Sequence, residues 1–80
     1  MFLSQLPNGS HAVVARLEAA SDEVGPSTLR RLGELGFIPG EPIQMLRRGP
    51  GGREPLAVAV GDSMFALRLA EARHIAVVPI

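Results

Sequence analysis

Apolar residues recur with a two-residue period in several short stretches of this chain, and with a helical period in one. His11–Leu17 reads as a strand with Val13, Ala15 and Leu17 on one face. Ile43–Arg48 carries Ile43 and Met45 on one side. Leu56–Val60 is the clearest strand, with Leu56, Val58 and Val60 alternating against Ala57 and Ala59. Ser63–Leu67 is its hairpin partner across Gly61-Asp62, a residue order that suits a type II′ turn. Ile75–Ile80 closes the series. Between the first two strands the period changes. Leu29, Leu32 and Leu35 recur at three-residue spacing, which predicts a short helix over Gly25–Leu35. Ser27 is a candidate N-cap, or Pro26 takes the first helical position. Gly33 inside that helix costs roughly 1 kcal/mol relative to Ala, so packing must hold it. Gly36 follows as a left-handed cap and Pro39-Gly40 as a tight turn. Leu69–Arg73 predicts a single helical turn. Pro7-Asn8-Gly9-Ser10 and Gly49-Pro50-Gly51-Gly52 are turns, and Ala19–Val24 reads as a polar loop.

These elements add up to a mainly β domain. Its five strands, at ~3.3 Å per residue, are only ~20 Å long. A short helix follows the first strand and a helical turn precedes the last. Closure into a small barrel answers the edge-strand problem in a domain too small to cover its edges. Short hairpin spacing and the late helical turn favour an SH3-like β-barrel over an OB-type one. The 80 residues make one domain, spanning 1–80, that buries roughly 60% of its unfolded surface.

Composition then removes function classes. There is no Cys, which excludes a disulfide scaffold, a thiolate metal site and a thiol nucleophile. The eight basic residues, all Arg, balance eight acidic ones. That neutrality, with no aromatic residues interleaved among the Arg, argues against nucleic acid. The longest apolar runs, Leu56–Val60 and Ile75–Ile80, fall far short of the ~20 residues of a membrane span, so direct membrane insertion is not expected. Met-Phe-Leu-Ser-Gln at the start lacks the features of a signal peptide, and a cytoplasmic location is expected. There is no Tyr, Lys or Trp, no Gly-x-Ser-x-Gly elbow and no phosphate-binding loop. The chain reads as a non-enzyme that requires no cofactor.

Candidate chemistry is therefore confined to surfaces. His11, His74 and Glu71 are the possible ligands for a divalent transition metal such as Zn or Fe. His11 begins the first strand and His74 precedes the last. Antiparallel pairing would place them ~20 Å apart, which leaves Glu71 and His74 as a two-ligand pair on the helical turn. Two ligands are too few for a dedicated site, so the reading is two surface His that an adventitious ion could bridge between molecules. Arg47, Arg48 and Arg53 flank the Gly-rich connection, either as a basic loop for an acidic partner or as solvated hairpin charges. Phe37 and Ile38 are adjacent, so both are buried only if the chain bends there. The exposed one would be available to a partner. Leu29, Leu32 and Leu35 read mainly as core. Self-association through loops is compatible with the sequence.

Three segments carry a family resemblance. Leu32-Gly33-Glu34-Leu35-Gly36-Phe37-Ile38-Pro39-Gly40 resembles the Leu-Gly-apolar-x-Pro-Gly signature of FeoA domains, small cytosolic proteins of bacterial ferrous-iron uptake. Phe65-Ala66-Leu67-Arg68-Leu69-Ala70-Glu71-Ala72-Arg73-His74-Ile75 resembles the family's Ala-Leu-Arg-x-x-Glu-Ala-x-x-Ile ending. Leu3-Ser4-Gln5-Leu6-Pro7-Asn8-Gly9 resembles its opening. Together they cover nearly the whole chain in order. Physically they are architecture: Gly36 ends a helix, Pro39-Gly40 aims a strand, and Ala66 and Ala72 are small where strand and helical turn should approach. Gly61-Asp62-Ser63 departs from the pattern, in which Gly is followed by an aromatic residue. The resemblance implies an SH3-like accessory module whose partner is a membrane ferrous-iron transporter with a cytosolic GTP-binding domain. The expected contact surface is the helix exit, Leu35, Gly36, Phe37, Pro39 and Gly40, with Arg47, Arg48 and Arg53 as a second candidate. The alternative is a transition-metal-responsive regulatory domain, as in the C-terminal barrels of metal-dependent repressors. A further alternative is a GTPase-activating role through an Arg finger.

Overall fold

The computed structural model describes residues 1–18 and 25–80, so the expected loop Ala19–Val24 lies outside the described residues. A 3₁₀ turn over Leu3–Gln5 leads into β1 (His11–Leu17). Then come α1 (Pro26–Leu35), β2 (Pro42–Arg48), a 3₁₀ turn at Pro50–Gly52, β3 (Leu56–Val60), β4 (Ser63–Leu67), α2 (Leu69–Ala72) and β5 (Ile75–Pro79). Every expected strand and helix is present, with ends displaced by no more than a residue. Pro26 takes the first helical turn and Gly25, not Ser27, is the N-cap. Asp62 has no positive φ while Gly61 has φ +56°, which agrees with the type II′ hairpin.

The strands form one antiparallel sheet in the order β4-β3-β2-β1-β5. Among the described residues no ladder joins β4 to β5, so the expected barrel closes through its core rather than through backbone pairing. Leu67 of β4 and Ile75 and Val77 of β5 belong to the same apolar cluster as Leu32 and Phe37. Each such side chain, taken wholly out of water, contributes about 1.5–3 kcal/mol before its ordering entropy is counted. The first residues complete this packing. Met1 O accepts the Val77 N–H at 2.8 Å, Phe2 bridges to Ala76, and Leu3 and Leu6 are buried.

Two bulges redirect side chains. In β1 the buried positions are Ala12 and Val14, while Val13 and Ala15, read as one face with Leu17, are only half-buried. The pairing with β5 shifts between Val14 and Arg16, so the alternation changes parity there and Leu17 turns back toward the core. β2 keeps Ile43 and Met45 inside, as expected, and its pairing with β3 then shifts between Met45 and Arg47. Past that bulge Arg48 lies opposite buried Leu56, on the inner side of the sheet.

Candidate functional site

The exit of α1 is the first surface to build. Gly36 takes φ +118°, a conformation that favours Gly, and its N–H bonds Gly33 O at 3.1 Å. The Phe37 N–H reaches back to Leu32 O, also at 3.1 Å. These two bonds close the helix in a Schellman arrangement, in which the residue after the left-handed cap packs on the last turn. Phe37 is that residue. It is 0% exposed, with its ring 5.8 Å from that of Phe65. The expectation that Phe37 presents itself to a partner is therefore corrected: the cap turns it inward. Ile38 is the exposed neighbour, at 49%. Pro39 and Gly40 are exposed beside it, and Leu35 and Gly36 are half-buried. The surface at the exit is Ile38-Pro39-Gly40.

The Arg-rich loop separates into unlike members. Arg47 and Arg53 are exposed. Arg48 is not a solvated loop charge. The bulge in β2 aims its guanidinium at the N-terminal segment, where Nη2 donates to Ser4 O at 2.7 Å and Leu6 O at 2.8 Å. Arg48 thus holds Leu3 and Leu6 in the core by satisfying carbonyls of the turn that carries them, which leaves it committed and unsuited to reach a partner. Arg48→Met keeps much of the stem and removes both bonds. The unfolding free energy should fall by about 2 kcal/mol, because hydrogen bonds from charged groups run to ~1.5–3 kcal/mol. A urea midpoint equivalent to less than ~0.5 kcal/mol of change, the range of ordinary surface positions, would return Arg48 to the solvent.

Arg53 instead lines a cleft with residues distant from it in the chain. A cleft of about 440 Å³ is lined by Arg53, Glu54, Leu69, Ala70 and Arg73. Glu54 Oε1 accepts the Leu69 N–H at 2.5 Å and so ties the loop to the start of α2. Two guanidinium groups from positions twenty residues apart then flank one opening. Only the tertiary path of the loop brings them together.

The three candidate metal ligands do not converge. His11 is exposed and lines a shallow depression of about 190 Å³ with Pro42, Gln44, Ala59 and Ile80. His74 is 1% exposed, which corrects its reading as a surface residue. Its Nδ1 lies 2.8 Å from Ala70 O, one helical turn back. Its own carbonyl accepts the Glu18 N–H, just past the far end of β1 from His11. Glu71 Oε1 accepts the Arg68 N–H at 2.9 Å, and Oε2 is 3.7 Å from Arg31 Nη1. Among the described residues no three His, Asp or Glu side chains gather in a way that could hold an ion. No helix among them is long and apolar enough to cross a membrane.

Comparison with known proteins bears on the whole chain. The family described as FeoA domain matches residues 1–79. The FeoA of Stenotrophomonas maltophilia, solved with zinc and described as a prokaryotic SH3 domain protein, shares 44% identity and a TM-score of 0.83, over 96% of this chain and 88% of that one. The FeoA of Chlorobium tepidum shares 31% identity and a TM-score of 0.85, over 100% of this chain and 70% of that one. A manganese-dependent transcriptional repressor shares the fold at 24% identity and a TM-score of 0.81, over 100% of this chain and 41% of that one. No curated protein matches the chain.

Proposed function

The chain belongs to the FeoA family, small accessory domains associated with ferrous-iron transport, and from that premise we propose that it is a non-enzymatic docking module of the transport system. Its partner in this reading is the cytosolic, GTP-binding part of the membrane ferrous-iron transporter, and it acts in the cytoplasm. The observation that carries the reading is the exit of α1. A Schellman closure turns Phe37 inward and leaves Ile38, a large apolar side chain, half exposed beside Pro39 and Gly40, which are exposed too. The backbone of the turn is already fixed by its hydrogen bonds, so a partner that covers Ile38 gains apolar burial against little more than the side chain's own rotamer entropy. The cleft lined by Arg53, Glu54, Leu69, Ala70 and Arg73 is the second candidate contact in this reading. Docking changes transport only if the module binds two transporter states with unequal affinity.

The zinc of the Stenotrophomonas relative does not fit a single site built from His11, Glu71 and His74, because His11 lies a strand's length from the other two and His74 is buried on a backbone carbonyl. An Arg-finger role is left to Arg47, Arg53 or the other exposed Arg residues, since Arg48 is engaged within the chain. Capture of the transporter's purified cytosolic domain on immobilised protein tests the docking reading. Ile38→Asp should weaken capture roughly tenfold or more, as expected for an apolar anchor near the centre of a contact. Undiminished capture by a folded Ile38→Asp protein removes the helix exit from the interface.

A further inference from the structure

The two ends of the sheet are treated differently. The outer edge of β5 is covered by the chain itself: Met1 O accepts the Val77 N–H, Phe2 bridges to Ala76, and Pro79 removes one donor. β4 itself carries none of the charges, prolines or bulges that usually blunt an edge. Ser63-Met64-Phe65-Ala66-Leu67 contains no charge, no Pro and no Gly, and its pairing with β3 runs through five residue pairs without a register shift.

The hairpin fixes which backbone groups this edge presents. A two-residue turn makes Val60 and Ser63 a hydrogen-bonded pair, so Ser63, Phe65 and Leu67 bond inward to β3. Met64 and Ala66 therefore turn their N–H and C=O groups outward. Among the described residues no backbone bond from elsewhere in the chain reaches either of them. Met64 is also 74% exposed, beside Ala57, Ala59 and Ala66, which leave a shallow floor on the outer face of the sheet.

We infer that β4 is the interface for a second copy of this chain, paired antiparallel to its own β4 about a two-fold axis through Phe65. Three features select that occupant and that register. Centring on Phe65 sets Met64 against Ala66 of the second copy, and the symmetric pair likewise, so all four outward backbone groups are used. A large side chain then meets a small one at both positions. The residues that bracket the strand, Asp62 and Arg68, are both exposed and of opposite sign. The same register places Asp62 opposite Arg68 of the second copy, twice. Centring one residue either way leaves fewer backbone bonds and sets these charges out of step. The contact is isologous and closed, so it yields a dimer rather than a fibre. It leaves Ile38 and the Arg53–Arg73 cleft out of the pairing, and it stands or falls independently of transporter docking.

Sedimentation equilibrium over a wide range of protein concentration tests this. The wild type should pass from monomer to dimer. Ala66→Pro removes an outward donor without removing a bond to β3, and should stay monomeric. Ala66→Lys does the same by charge, should the proline variant fail to fold. Asp62→Arg should weaken the dimer roughly tenfold through two like-charge pairs, and Asp62→Arg with Arg68→Asp should restore it. The backbone N–H of Arg68 that meets Glu71 is untouched by that exchange. A wild type that remains monomeric at all concentrations overturns the proposal. So does a dimer indifferent to both edge variants and to the charge exchange.

Discussion

Phe37→Ala should destabilise the fold by about 3–5 kcal/mol, the range for truncating a buried Phe. A domain of this size has about 4–12 kcal/mol to lose. The variant should therefore unfold at much lower urea, and at the low end of that range it should be substantially unfolded in buffer. The reason is local and double. The ring is wholly buried, its centroid is 5.8 Å from that of Phe65 on β4, and it belongs to the same apolar cluster as Leu32 of α1 and Val58 of β3. Its burial also supports the helix end, because the Schellman closure made by the Phe37 N–H to Leu32 O commonly goes with an apolar contact at this position. Phe37→Leu should recover part of the loss by filling some of the volume. Circular dichroism against urea measures both. A loss below ~1 kcal/mol would mean that the ring is not a core residue and would reopen it as a contact. The same comparison guards the docking experiment, since a Phe37 variant that no longer captures the transporter has lost its fold first.

The strands were legible because their inner positions are large and their outer ones small or polar, as in Leu56, Val58 and Val60 against Ala57 and Ala59. Alternation carries no sign of where a ladder gains a residue. Val13, Ala15 and Leu17 look like one face until the bulge before Arg16 splits them, and Arg48 looks like a loop charge until the bulge before Arg47 turns it inward. Phe37 and Ile38 could not be ranked from their own chemistry, since the choice lies in the backbone bonds made by Gly36 and Phe37. Ala72 is buried, as its small size suggested, while Ala66 is exposed on the outer face of β4. His74 is buried by a bond one helical turn back that a lone His cannot announce. Arg53 and Arg73 share a cleft where Glu54 ties the loop to the start of α2, a tertiary contact that no local pattern announces. Local pattern thus located the elements and the helix exit, while the identities of the groups that face solvent depended on bulges, caps and tertiary contacts.

Gly49→Ala should be nearly as damaging, at roughly 3 kcal/mol, the upper part of the usual range for forcing extra volume into a packed site. Its φ of −72° is open to any residue, so the demand for Gly here is purely spatial. A Cβ at this position would lie 2.1 Å from Glu54 O and 2.5 Å from its carbonyl carbon. Those are backbone atoms and cannot swing aside as a side-chain tip would. The close approach exists because the Gly49 N–H bonds Pro55 O at 2.9 Å, which draws the ends of the Gly-rich connection together. Gly51 and Gly52 in the same connection have open space around them and need Gly only for φ +73°, so Ala at either should cost about 1–2 kcal/mol. Urea unfolding of the three variants should rank Gly49 first, and an Ala there that matches the other two would show that the connection can relax. The displacement should also travel. Gly49 directly follows Arg48, whose guanidinium bridges Ser4 O and Leu6 O and cannot keep both if the end of β2 moves. Gly49→Ala and Arg48→Met should then be less costly together than the sum of their separate effects, because the first already takes away part of what the second removes.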